Sequence, residues 1–177
     1  MNFKAKLSKR IQMNDIHAII SAIQNNPKQI KKIYDLIFDP DDPVAYQAAW
    51  VLTHLSPKDN QWLYNRQNEL IGEVLICRHP GKRRIILALL YRQPPANPPR
   101  TDFLDFCLER MVSPNELPGV QTLCIKLAYE LCLTIPELLQ EFRSTIELIE
   151  PDLLPASLRA VHRNIRKAMK TGKSLNH

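Results

Sequence analysis

Four prolines, Pro43, Pro80, Pro118 and Pro155, recur at intervals of 37, 38 and 37 residues. Each opens a similar stretch: PVAYQAAWVLTHL, PGKRRIILALLYR, PGVQTLCIKLAYEL and PASLRAVHRNIRKAM. A fixed period of about 20–50 residues marks a stacked architecture rather than one globular core, because each unit can bury its apolar face only against its neighbours. Aligned on the proline, the fifth and sixth following residues are Ala48 and Ala49, Ile85 and Ile86, Leu123 and Cys124, and Ala160 and Val161. The ninth and tenth are Leu52 and Thr53, Leu89 and Leu90, Leu127 and Ala128, and Asn164 and Ile165. These offsets share one helical face, so each stretch predicts an amphipathic helix with that face inward. Leu89 and Leu127, at equivalent offsets, are expected in the core.

The proline suits the first turn of a helix, where its missing N–H leaves no extra donor unpaired. Asp42, before Pro43, is a candidate cap whose charge suits the positive helix end. Leu117 and Leu154 precede later prolines and cap nothing. Gly81 and Gly119 follow two of the prolines, and in a chain with only four glycines this repetition looks positional.

A second apolar-periodic stretch precedes each proline. Ile30, Ile33, Tyr34 and Ile37 form the first; Leu63, Leu70, Val74 and Leu75, broken by Arg66, the next. Leu104, Cys107, Leu108, Met111 and Val112 follow, then Leu138, Leu139, Phe142, Ile146 and Ile149. Each unit is therefore expected to be a helical hairpin, joined near 39–42, 77–80, 113–118 and 150–155. Residues 3–25 supply one further helix, with Ile16, Ile19, Ile20 and Ile23 as its apolar face and Asn14-Asp15 as a break or a cap. The Pro-rich segment PPANPP at 94–99 reads as a surface loop between the second and third hairpins, since the 38-residue spacing survives across it. The expected domain is single, 1–177, with a frayed tail at 172–177.

The 45% hydrophobic content fits a folded chain. The longest apolar run, Ile85 to Tyr91, is too short to span a bilayer, and the N-terminus lacks the apolar core of a signal peptide. Cys77, Cys107, Cys124 and Cys132 form no Cys-x-x-Cys pair, which suits free thiols in a reducing cytosol and argues against a zinc site. The expectation is a cytoplasmic protein with no membrane, metal or cofactor. Charge is unevenly distributed. Residues 1–32 hold seven basic residues and one acidic, residues 101–152 three basic and ten acidic, and residues 153–177 six basic and none acidic. Such blocks are either solvated faces or the footprint of an anionic partner.

The two-helix unit, its length and the DPDDPVAYQAAWVLTHL segment resemble HEAT and armadillo-type repeats over roughly residues 27–170. The resemblance implies an all-α fold, a right-handed α-α superhelix of about four stacked hairpins plus the N-terminal helix. It also implies that the second helices line a concave surface. On those helices, offsets four, eight and eleven point away from the expected core: Gln47, Val51 and His54; Arg84, Ala88 and Tyr91; Thr122, Lys126 and Tyr129; Arg159, Arg163 and Arg166. This stripe holds no Asp or Glu and is polar, basic and aromatic. Arg forks suit carboxylate or phosphate, and tyrosines add flat contact area. The candidate binding residues are His54, Arg84, Tyr91, Lys126, Tyr129, Arg159, Arg163 and Arg166. Trp50, beside the stripe, reads as packing between repeats or as a ligand platform. Asp105, Glu109, Glu141 and Glu147 fall on the first helices, expected outward.

No Gly-rich phosphate loop, Gly-x-Ser-x-Gly or His-Glu-x-x-His is present, so no catalytic residue is assigned. The sequence-level reading is a non-catalytic HEAT-like scaffold or adaptor that binds an acidic protein segment through the stripe. A nucleic-acid binder using the same cations for phosphate contacts is the alternative. A short enzyme resembling the helical-repeat DNA glycosylases for alkylated bases is a further one, with Glu130 the nearest carboxylate. Oligomeric state is not legible in the sequence.

Overall fold

The computed structural model of the chain describes residues 1–175, and these are all-helical with no strand. The helices are α1 (Phe3–Leu7), α2 (Met13–Ile23), α3 (Pro27–Asp35), α4 (Asp42–Leu52), α5 (Pro57–Asn60), α6 (Gln67–Ile76), α7 (Pro80–Tyr91), α8 (Thr101–Arg110), α9 (Pro118–Cys132), α10 (Pro136–Glu147) and α11 (Ala156–Thr171). Short 3-10 segments span Leu36–Phe38, Gln61–Arg66 and Pro151–Leu153. The α3–α4, α6–α7, α8–α9 and α10–α11 connections fall where the repeat predicted them. The chain divides into two compact units, Met1–Gln93 and Pro94–His177, with the boundary at the Pro-rich segment.

The four prolines start the second helices as their chemistry dictates. Pro80 and Pro118 open α7 and α9, Pro43 sits one position inside α4, and Pro155 immediately precedes α11. Asp42 does not cap α4: Asp41 does, accepting from the Val44 N–H, and Asp42 lies in the first turn. His79 caps α7 through Nδ1, which accepts from the Lys82 N–H at 3.0 Å. Gly81 is positional for a steric reason. A Cβ there would lie 3.1 Å from both the His79 and Tyr46 rings.

In the first unit, α4 is the central helix, in contact with α1, α2, α3 and α7. Ala45, Ala48 and Ala49 let those neighbours approach, and Val44, Val51 and Leu52 fill the gaps; all six are buried. Leu89 is buried on α7 as expected. The N-terminal segment is two helices rather than one. The break falls at 8–12, and Asp15 acts as a cap, its carboxylate accepting from the Gln12 N–H at 3.0 Å. The expected helix from Leu63 begins as a 3-10 segment and becomes α-helical at Gln67. Arg66 marks that junction, with its guanidinium 4.9 Å from the Trp62 ring centroid. Trp62 in turn meets Tyr34 edge-on at 5.4 Å. Lys82 is buried on α7 against Glu73 of α6, with Nζ 2.7 Å from the carboxylate.

In the second unit α9 is the central helix, packed by α8, α10 and α11. Ten of its fifteen residues are buried, Leu127, Ala128 and Tyr129 among them. Three buried thiols, Cys107 of α8 with Cys124 and Cys132 of α9, occupy this core. The final helix departs from the predicted register. It buries Leu158, His162, Ile165 and Met169, while Ala160 and Val161 are half-buried and Asn164 is exposed. Among the described residues no further hairpin covers the far side of α11, so only the stripe against α9 and α10 is inward. His162 Nε2 donates to the Ile146 carbonyl at 3.0 Å, pinning α11 to the end of α10.

Residues 173–175, part of the expected tail, turn back onto the second unit. Gly172 takes a left-handed φ of 63°, which turns the chain at the end of α11. The Lys173 carbonyl then accepts from the Tyr129 hydroxyl at 2.7 Å. The buried Glu130 carboxylate accepts from the Ser174 hydroxyl and, at 2.6 Å, from the Leu175 N–H. A buried carboxylate needs such donors, and the tail supplies them. The last two positions of the expected tail lie outside the described residues.

Candidate functional site

The most concentrated charge in the second unit is on α11. Arg159, Arg163, Arg166, Lys167 and Lys170 are all exposed along one flank of its buried stripe. With Pro151 and the edge of His162 they line a cleft of about 400 Å³. Arg159 is oriented by its own backbone, with Nη2 donating to the Leu154 carbonyl at 3.2 Å. A smaller adjoining cleft of about 230 Å³ lies between Arg166, Met169 and Lys170 of α11 and Arg143 and Glu147 of α10. None of the ion pairs among the described residues involves any of the five α11 cations.

This arrangement works against helix stability. Arg159–Arg163, Arg163–Arg166, Arg163–Lys167 and Arg166–Lys170 are like-charge neighbours at three- or four-residue spacing, each unfavourable by a few tenths of a kcal/mol, roughly. Arg159 also lies at the positive end of the helix dipole, and no acidic residue occupies that first turn. An anion placed across the ladder relieves both effects. Chemically the face offers guanidinium forks and ammonium points to carboxylates or phosphates.

The other expected binding residues are less uniform. Arg84 is exposed on α7, and Tyr91 is half-buried at the end of that helix. Lys126 is half-buried on α9. Tyr129 is fully buried and holds the C-terminal tail, so it is not a ligand platform. Its ring instead packs against Phe142 at 6.0 Å. His54 is half-buried and engaged locally, with Nδ1 3.0 Å from the Trp50 carbonyl and 3.1 Å from the Thr53 hydroxyl. Trp50 meets that His54 ring edge-on. Gln47 and Val51 are buried rather than on a surface, and the α1–α2 segment lies over Gln47. Gln47 Oε1 accepts from Ile11 N–H at 2.8 Å while Nε2 donates to the Leu7 and Lys9 carbonyls. The first repeat's share of the stripe is thus structural. Arg84 and Tyr91 belong to the first unit, and Lys126, Arg159, Arg163 and Arg166 to the second.

Two cations escaped the repeat-offset reading. Lys167 and Lys170 extend the ladder, and their four-residue spacing from Arg163 and Arg166 was the available signal. Glu130, the carboxylate that base-excision chemistry would need, is turned into the core and fully engaged by the tail. Among the described residues no group of three or more His, Cys, Asp or Glu side chains is disposed to hold a metal. No helix there is long and apolar enough to cross a membrane. The thiols of Cys77, Cys107 and Cys132 are poor nucleophiles in this setting, since burial raises them above the ordinary thiol range.

Proline-opened helical hairpins of constant period, with function left to surface side chains, define a helical-repeat protein. The HEAT repeat domain family model matches residues 3–169, nearly the whole chain, and the chain belongs to that family. No curated protein and no solved structure matches it.

Proposed function

We propose that this HEAT-repeat chain is a non-catalytic adaptor that binds an acidic protein segment on the exposed face of α11. The observation that carries the reading is the unpaired ladder of Arg159, Arg163, Arg166, Lys167 and Lys170 along one cleft. Its charges repel one another in the free chain and attract a polyanion. HEAT-type scaffolds supply rigid helices, so the cations are held at fixed spacing before the partner arrives, which lowers the ordering cost of binding.

The test is fluorescence anisotropy of a labelled Glu/Asp-rich peptide against the full chain. Binding is expected to weaken as salt rises, because the contacts are exposed and screened. The Arg159→Ala, Arg163→Ala, Arg166→Ala triple variant should lower affinity at least tenfold. Its melting temperature should match or slightly exceed that of the parent, since exposed charges contribute little to folding and repulsion is removed. No binding by the parent, or equal binding by the triple variant, refutes the reading. Random-sequence duplex DNA serves as the competing probe. Tighter binding to it with a steep salt slope transfers the face to nucleic acid.

A further inference from the structure

The first unit has a cavity of its own. Ser8, Arg10, Pro43, Tyr46, Gln47 and His79 line a space of about 350 Å³. Buried Gln47 holds the turn between α1 and α2 through the Leu7 and Lys9 carbonyls and the Ile11 N–H, and that turn brings Ser8 and Arg10 into the cavity wall. Tyr46 stands on the first turns of α4, just after Pro43. His79 caps α7, with Nδ1 fixed by the Lys82 N–H. The Tyr46 and His79 rings lie 5.7 Å apart at a tilt of 43°. Gly81 permits this pair, because a Cβ there would lie 3.1 Å from both rings.

The polar groups of the wall divide into two sets. Gln47 gives both amide N–H bonds to the turn, and the Ser8 hydroxyl donates to the Ala5 carbonyl. The Arg10 guanidinium and the Tyr46 hydroxyl, in contrast, have no hydrogen-bond or ion-pair partner among the described residues. Because His79 Nδ1 accepts a hydrogen bond, the neutral ring carries its proton on Nε2, and no described residue takes that proton. No Asp or Glu lines the cavity. Asp39 and Asp15, which meet the α1–α2 segment, are paired with Lys4 and Lys6. Three unused donors, one of them a full positive charge, therefore share a cavity whose other surface is ring and pyrrolidine carbon. A mostly apolar wall with a few polar groups is the composition of small-ligand cavities, whose volumes begin at about 300 Å³.

An inorganic anion would meet Arg10 and leave the carbon surface in water. A neutral ring would cover the carbon and leave the guanidinium unmatched. We infer that the first unit holds a binding site for a small aromatic carboxylate. The ligand ring packs against Tyr46, His79 and Pro43, as flat groups pack on aromatic side chains. Its carboxylate pairs with Arg10, whose charge-assisted fork is the strongest donor in the wall. The Tyr46 hydroxyl and His79 Nε2–H supply further donors. The site goes beyond the adaptor reading and uses no residue of the α11 face.

The test is NMR on the full chain, following the ring protons of Tyr46 and His79 during titration with benzoate and with an indole carboxylate. The controls are the amide of each acid, which keeps the ring without the charge, and acetate, which keeps the charge without the ring. At least one aromatic carboxylate should shift both rings saturably and bind about tenfold more tightly than its amide, as a hydrogen bond to a charged group implies. Arg10→Gln should bring the acid down to the affinity of the amide. Arg10 is exposed and unpaired, so folding is not at stake, and circular dichroism checks this. Gly81→Ala should weaken acid and amide together by pressing on both rings. The Arg159→Ala, Arg163→Ala, Arg166→Ala variant should bind the acids as the parent does. Absence of saturable shifts at millimolar ligand overturns the inference, as does acetate binding as well as the aromatic acids. Unchanged affinity in either Arg10→Gln or Gly81→Ala, or loss in the α11 variant, overturns it too. Failure at Arg10 or Gly81 leaves the adaptor reading standing, since no α11 residue lines this cavity.

Discussion

Gln47 shows how one polar side chain in an apolar helix can be structural. Its amide satisfies a donor and two acceptors of the α1–α2 region, all at a place where water does not reach Ile11. Gln47→Ala leaves the Ile11 N–H and Leu7 carbonyl without their partner, at a cost of about 1–3 kcal/mol. Chemical denaturation should read that loss, and hydrogen exchange should speed up at residues 7–12 before the rest of the unit. The sequence placed Gln47 on an outward stripe because an offset rule knows only its own repeat. It does not know that the N-terminal helix lies over that side of α4. Tyr129 was misplaced for the same reason. Offset eleven faces out on an isolated hairpin, yet here the chain's own tail returns to cover it.

At the scale of the element, the repeat offsets earn their use in the central helices. Leu89 and Leu127 are both buried, and either Leu→Ala change should cost about 2–5 kcal/mol through lost transfer energy and a residual cavity. A melting temperature unchanged in both variants would reject the packing described for α7 and α9. The tail gives a second prediction. Glu130→Ala removes the acceptor for the Ser174 hydroxyl and the Leu175 N–H, so amide exchange at Leu175 should become fast. The melting temperature should fall only modestly, because residues 173–175 add little apolar burial. Protection retained at Leu175 would mean that the tail is held by something other than that carboxylate.

At the scale of the molecule, titration of buried groups sets the alkaline limit. Burial pushes the Cys132 thiol up to about 11 and raises Cys77 and Cys107 in the same direction. Burial and its hydrogen bond to Glu69 likewise raise the Tyr34 hydroxyl. Each is an acid favoured in its neutral form by the fold. The stability they add is fully present below the unfolded thiol value of about 8.5 and is lost as pH rises toward the folded values. The melting temperature should therefore hold between pH 7 and 8.5 and fall steadily toward pH 11. Cys132→Ala should make that decline shallower, and a flat profile would contradict the assignment. The charge blocks also belong to this scale. The six basic residues after position 152 sit five on one helix face and one in the tail, which composition alone could not resolve into a surface.

The sequence by itself determined the all-α class, the hairpin unit, its period and its joints. Those follow from local rules: proline fixes where a helix starts, and apolar residues at three- and four-residue spacing fix which face turns inward. It also determined that Arg159, Arg163 and Arg166 share a helical face, since that is a matter of helix pitch. Only the tertiary structure decided which faces remain in water. The α1–α2 segment covers Gln47, Phe142 and the tail cover Tyr129, the tail occupies Glu130, and α11 is left with one bare side because no further described hairpin packs on it. Exposure is a property of what lies opposite a side chain, and what lies opposite comes from residues 36 to 45 positions away, as the bonds of Gln47 and Glu130 record. A period read along the chain carries no information about those partners.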